Sequence, residues 1–297
     1  MNSSLLFLSL QEVDDELLHR SEADGKKKNR SVWLRTGAWA ACLCLAAALA
    51  FPTVRDFLFR KGGEPTDPIA ALEYGGKFYE AVDDPATLEK CGLPRALTSD
   101  MAGKQLIYLE GDRDHGYRYT AHQTNKALYL YAPSPGEAVY LLRDGETYMA
   151  AIFCNFYPFD SNTSCELTEL YRIYAIENAA DIVSITEVDW HREQVIGTPL
   201  TDAAEIAAFY SMTVALWSYG NDDFQKEMFS GFSTEQEQLA AHTAFADDAR
   251  VLRVETAEGL CFYLSFFPTY CWINSSGAMA YYKMDDLMSL WFDRNFN

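Results

Sequence analysis

The chain has 297 residues, 49% hydrophobic and 23% charged, enough apolar matter for a packed core and too much for a disordered chain. Its net charge is −19, and a surface that acidic repels phosphate backbones, so nucleic acid is excluded as an expected partner. The charge is uneven: residues 1–61 carry 9 Lys/Arg against 7 Asp/Glu, while the remainder carries 15 against 36.

The first element is an expected amphipathic helix within a tail of residues 1–31. In residues 8–24, Leu10, Val13, Leu17 and Leu18 fall on one helical face, with Asp14, Asp15 and Glu22 elsewhere. Three turns are too few for a stable helix in water, so this one is expected to fold against a cytosolic protein that offers an apolar groove.

From Thr36 to Val54 no residue is charged. At about 1.5 Å per helical residue the run reaches about 28 Å, close to the hydrocarbon thickness of a bilayer. Arg35 and Arg55 bracket it, and Lys26, Lys27, Lys28 and Arg30 crowd its N-terminal side. The expectation is one transmembrane helix over residues 32–55, with the tail cytoplasmic and everything after it outside the cell. Ala48-Leu49-Ala50 also has the small-x-small form of a signal cleavage site, so a removed leader is the competing reading.

Residues 56–69, with Gly62-Gly63-Glu64-Pro65, read as a linker. Residues 70–297 read as one acidic extracytoplasmic domain. Tyr and Phe number 18 each, and flat rings favour strands. Lys77–Val82 is the first expected strand. Asp84-Pro85 caps a short helix to Lys90, and Gly92 ends it. Strands are expected at 105–110, 117–122, 127–132, 138–142 and 147–154, the last two joined by a hairpin at Asp144-Gly145. Asn162–Ser164 is expected to cap a helix over 165–174, followed by a strand at 182–190.

Asp202 with Glu205 predicts a helix running to Ser218, with Ile206, Phe209, Tyr210, Val214 and Trp217 on its buried side. Ser233 with Gln236 predicts another helix to Ala246. Strands at 251–256 and 260–267 pair across Ala257-Glu258-Gly259, strands at 270–274 and 279–283 follow, and a helix at 285–293 closes the domain. Tight turns between neighbouring strands predict an α+β fold with mainly antiparallel sheet and several helices. Each half carries helices and a Phe/Tyr-rich hairpin, which hints at a duplicated unit.

Catalytic signatures are missing: no G-x-S-x-G, H-E-x-x-H, G-K-[ST] or paired C-x-x-C occurs, so no enzyme activity and no cofactor is expected. Glu110-x-Asp112-x-Asp114 starts like a calcium loop, but His115 stands where that loop needs Gly and Ala121 where it needs Glu. No metal site is expected. The most distinctive polar cluster is Tyr219-Gly220-Asn221-Asp222-Asp223, read as a loop. Gly220 would end the preceding helix in a left-handed conformation, Asn221, Asp222 and Asp223 would offer oxygens to a cation or sugar hydroxyl, and Tyr219 and Phe224 would offer rings for stacking. Cys91, Cys154, Cys165, Cys261 and Cys271 follow the apolar run. Cys154 and Cys165 would close a short loop and are the first candidate disulfide; the other reading is that all are small buried hydrophobes.

The stretch Glu12-Val13-Asp14-Asp15-Glu16-Leu17-Leu18, the basic Lys26–Arg30 and Trp33-Leu34-Arg35-Thr36-Gly37-Ala38-Trp39 together resemble the N-termini of single-pass membrane proteins of gut Firmicutes. Some of these are described as anti-sigma-factor-like. Gly92-Leu93-Pro94 and Ser218–Phe224 resemble their outer segments. The resemblance implies a cytosolic sigma factor as the partner of the tail; the His/Cys zinc motif of many anti-sigma domains is not in this sequence. The expectation is therefore a membrane-tethered binding or sensing protein that signals through its tail. The alternatives are an outer binding or structural module without signalling, and an enzyme whose site carries no known signature.

Overall fold

The computed structural model describes residues 71–296 apart from 113–114, 157–165, 190–193 and 276–279. The tail face of Leu10, Val13, Leu17 and Leu18, the apolar run, the linker, the cap at Asn162–Ser164 and Cys165 lie outside these residues. Among the described residues no helix is long and apolar enough to cross a membrane. They divide into two compact units, one of residues 71–231 with 247–296 and one of Phe232–Ala246. The α+β class with antiparallel sheet and several helices holds for the larger unit.

In that unit the first seven strands close into a barrel: β1 (Ala71–Tyr74), β2 (Lys77–Val82), β3 (Ala102–Asp112), β4 (Gly116–Thr120), β5 (Lys126–Tyr131), β6 (Val139–Asp144) and β7 (Thr147–Phe156). Their order is β1-β2-β7-β6-β5-β3-β4, and a parallel contact of Leu72 with Tyr117 closes it. Strand alternation decides which residues fill it. The register sets Tyr79 beside Leu72 and Phe153, Ala151 beside Tyr140, and Leu142 beside Leu128. All six of Leu72, Tyr79, Tyr140, Leu142, Leu128 and Ala151 are buried. Tyr119, Tyr74, Tyr140, Tyr79 and Phe153 run edge to face with centroids 5.1–6.1 Å apart. A barrel this narrow is filled by its own side chains, so it offers a core rather than a channel.

The short helix α1 (Pro85–Lys90) connects β2 to β3. The Asp84 carboxylate accepts from the Thr87 N–H at 2.8 Å, as the Asp-Pro pair predicts. Its far end is a Schellman motif: Leu93 N–H donates to Leu88 O at 2.9 Å and Gly92 N–H to Glu89 O at 3.0 Å, with Gly92 at φ +77°.

The second sheet is open, in the order β10-β14-β13-β12-β11-β8-β9, with every pair antiparallel. Its strands are β8 (Ile182–Asp189), β9 (Gln194–Leu200), β10 (Ser218–Tyr219), β11 (Arg250–Thr256), β12 (Cys261–Phe267), β13 (Trp272–Ser275) and β14 (Tyr281–Lys283). A closed barrel and an open sheet are different topologies, so the hint of a duplicated unit is corrected. One face of the sheet carries Ile185, Leu252, Val254, Leu264, Phe266 and Ile273, all fully buried. Helices α2 (Leu167–Ile173), α3 (Ala203–Thr213) and α6 (Asp286–Phe296) supply the partners. Phe292 stacks on Phe266 at 5.1 Å, Trp291 meets Phe209 at 5.2 Å and Tyr171 meets Phe262 at 6.1 Å. The Glu137 N–H donates to the Ile173 carbonyl at 2.8 Å, tying barrel to α2, and one hydrophobic cluster runs through both sheets.

α3 is capped by Asp202, which accepts from the Ala204 and Glu205 N–H groups at 2.9 and 3.0 Å. It ends at Thr213, five residues before the expected Ser218. There the Thr213 hydroxyl bonds back to the Phe209 carbonyl at 2.8 Å and meets the Tyr171 hydroxyl, a competition with the backbone that favours a helix end.

The smaller unit is largely helix α5 (Glu235–Asp247). Its capping box uses Thr234, one residue later than expected: Thr234 Oγ1 accepts from the Glu237 N–H at 3.2 Å, and the Glu237 carboxylate accepts from Thr234 N–H at 3.0 Å and Ser233 N–H at 3.1 Å.

Candidate functional site

The polar cluster at 219–223 is not a loop. Helix α4 (Asn221–Phe229) begins at its centre, with Gly220 as its N-cap at φ −58°. Gly220 therefore starts a helix and does not end one in a left-handed turn, which corrects the sequence reading. The physical reason lies upstream: α3 has already ended at Thr213, and the chain pairs Ser218 and Tyr219 with Tyr282 and Tyr281 of β14 before turning into α4. Asp222 and Asp223 sit in the first turn of α4, where the unpaired N–H groups favour negative charge, and both are exposed.

Phe224 cannot stack on a ligand. It is 1% exposed, lies flat on Tyr281 at 3.7 Å and meets Trp272 edge-on at 5.1 Å. The same burial pushes the Tyr281 phenol up to about 12. Tyr219 is different. Its ring is 37% exposed, and its orientation is set by an edge-on contact with Trp272 at 5.0 Å. Below it, Lys283 Nζ lies 5.8 Å from the Trp272 centroid and pairs with Glu227, the main cause of its raised pKa.

Trp217 completes the arrangement. It was expected on the buried side of α3, but it lies beyond the end of that helix and is 58% exposed. Ser218 between it and Tyr219 is 5% exposed. Exposed, buried, exposed is the period of a strand, so the two rings stand on one face of the edge strand. A β-bridge between Trp217 and Glu166, together with the Leu167 N–H donating to Leu216 O at 2.8 Å, fixes the backbone under Trp217. The result is two exposed aromatic side chains on a hydrogen-bonded edge, with two exposed carboxylates three and four residues after Tyr219. The sequence signal that locates Trp217 is the alternation Leu216-Trp217-Ser218-Tyr219 after two β-branched residues, Thr213 and Val214.

Other groups are less organised for binding. An open cleft of about 360 Å3 lies beside α1, lined among others by Asp83, Arg95, Glu146 and Tyr148. Its Arg95 is held by Glu89 at 2.6 Å, both well exposed. Among the described residues no group of three or more His, Cys, Asp and Glu side chains is placed to hold a metal ion. Cys154 is a free thiol on β7, pushed up to about 12 mainly by burial; its expected partner Cys165 lies outside the described residues. Cys271 is a free thiol in left-handed backbone at φ +58°. No protein-family model, no curated protein and no solved structure matches this chain.

Proposed function

We propose that this chain is a membrane-tethered binding protein whose outer domain takes carbohydrate at the Trp217–Tyr219 edge. The observation that supports it is the pair of exposed rings at β10, Trp217 just before the strand and Tyr219 within it, against a domain whose other large aromatics are mostly buried. A pyranose ring has an apolar C–H face and hydroxyls at its edges. The face packs on an aromatic ring with the apolar gain of any such contact, and nearby carboxylates accept from the hydroxyls as charge-assisted bonds. Trp217 and Tyr219 supply the first, and Asp222 and Asp223 the second. The tether rests on the uncharged run 36–54 and its basic N-terminal flank.

Two measurements test the two halves. In fractionated cells the full chain should stay with membranes through alkaline carbonate, and external protease should remove the domain after residue 70. Recovery in the soluble cytosol overturns the tether. The full chain should also be retained on insoluble wall polysaccharide or on one of a panel of surface glycans. Trp217→Ala and Tyr219→Ala should each weaken retention at least about tenfold, the loss of roughly 1.4 kcal/mol expected of one aromatic anchor. Equal retention of both variants, or none by the wild type, overturns the binding half.

A further inference from the structure

The end of α1 and the start of β12 meet backbone to backbone. The Cys261 N–H donates to the Cys91 carbonyl at 3.0 Å. Beside this bond a Cβ on Gly92 would stand 1.8 Å from the Gly259 carbonyl oxygen, so no side chain separates the two segments. A backbone hydrogen bond between two residues holds their Cα atoms roughly 5–6 Å apart, inside the span of about 4.4–6.8 Å that a disulfide bridges. Side-chain direction agrees. Cys261 and Tyr263 share one face of β12, and the Tyr263 hydroxyl reaches the Lys90 carbonyl at 2.8 Å, so this face looks at the residue before Cys91. Both thiols are free.

We propose that Cys91 and Cys261 are a covalent modification site, a pair of thiols that a low-molecular-weight disulfide oxidises to a staple between the barrel and the second sheet. One thiol gives its proton to solvent and its sulfur attacks the small disulfide, expelling one small thiolate and leaving a mixed disulfide. The second thiol, deprotonated in turn, attacks the protein-bound sulfur and expels the other small thiolate. Two electrons pass from the cysteine pair to the small disulfide, and the two protons end on the released small thiols.

Burial, then the neighbouring Cys261, pushes the Cys91 thiol up to about 12; burial pushes Cys261 to about 11 against the pull of Arg253. Little thiolate exists at neutral pH, so exchange is slow there and gains about tenfold per pH unit between 7 and 9. Formation does not depend on where the chain resides. Persistence in the cell rests on the outer placement proposed above, because only an oxidising compartment keeps such a bond.

The test uses purified full chain incubated with oxidised glutathione at several pH values, alkylated under denaturing conditions and mapped by mass spectrometry without reduction. The expected product is one linked peptide pair holding Cys91 and Cys261, two hydrogens lighter than its parts, with the stated pH slope. Its melting temperature should rise by about 5–10 °C, since the bond closes a loop of about 170 residues. Cys154→Ser should leave both results unchanged, and Cys91→Ala and Cys261→Ala should each abolish both. Alkylation of both cysteines after oxidation, or a link from either one to Cys154, overturns the proposal. The wild-type map stands even where a variant fails to fold, and it is independent of any glycan or membrane result.

Discussion

Arg250→Met should destabilise the larger unit by about 3 kcal/mol in urea unfolding, because it strands a buried carboxylate. Glu187 is 6% exposed in the middle of β8. Arg250 meets it with two parallel bonds, Nε to Oε1 at 2.7 Å and Nη2 to Oε2 at 2.6 Å, the geometry in which guanidinium and carboxylate match best. The same guanidinium lies 4.7 Å over the Phe292 ring and donates to the Phe296 carbonyl. One side chain therefore neutralises β8, and pins the end of α6 against the sheet. The double variant Glu187→Met with Arg250→Met should recover most of the loss, since the damage comes from the orphaned charge and not from the absent attraction. Arg172→Met is the contrast. Its partner Glu169 lies at comparable range, but the two side chains are 67% and 43% exposed, and such pairs contribute at most about 0.5 kcal/mol. A loss at Arg250 no larger than at Arg172, or a double variant no better than the single, would show that Glu187 finds water on its own.

The strongest local chemistry was legible in the sequence. Asp84-Pro85 and Gly92 bound α1 as expected, Asp202 caps α3, and Asp144-Gly145 makes the turn between β6 and β7. These signals work because each is settled within a few residues, by one capping oxygen or one positive φ. The misses are tertiary. β1 follows the linker as four residues, and its signal was Gly75-Gly76, a turn with φ +58° and +73° that joins it to β2. β9 holds Gly197 and Pro199, which weaken a strand by propensity, and it survives as an edge where Pro costs no ladder bond on its free side. Barrel closure depends on Leu72 meeting Tyr117 across 45 residues, and no local pattern records that.

The candidate site was half legible for the same reason. Residues 219–223 stood out as aromatic and acidic, but a helical period carried past Thr213 hid Trp217 on a buried face and made a loop of the start of α4. Residues four apart share a face in both the helical and the strand period, and residues two apart, such as Trp217 and Tyr219, share one only in a strand. The change of period here falls at Thr213, where a side-chain hydroxyl rather than a Gly or Pro ends the helix. Phe224 and Tyr219 read alike in sequence, and only the position of Tyr281 and Trp272 beneath them separates a buried ring from an available one.

Gly92→Ala should cost about 4 kcal/mol, several times the effect of the same change at Gly145. Both glycines have positive φ, +77° and +64°, so both substitutions carry the left-handed strain of about 1–2 kcal/mol. Gly145 lies in the open turn between β6 and β7, where an added Cβ meets nothing within 4 Å. At Gly92 the added Cβ would lie 1.8 Å from the Gly259 oxygen, 2.8 Å from its carbonyl carbon and 3.0 Å from the Leu260 Cα. These are backbone atoms, so no rotamer change relieves the overlap and the two segments must part. Parting them threatens the Cys261 to Cys91 bond and the Tyr263 hydroxyl's bond to Lys90, each contributing about 1 kcal/mol. It also loosens the buried Leu88 and Leu93 that complete the end of α1. The measurement is the difference in urea midpoint between the two variants at equal slope. Equal midpoints would mean that α1 can lift from β12 without loss. The barrel and the second sheet would then be held by the shared hydrophobic core and the Glu137 bond to α2, and the backbone contact that brings Cys91 to Cys261 would be dispensable.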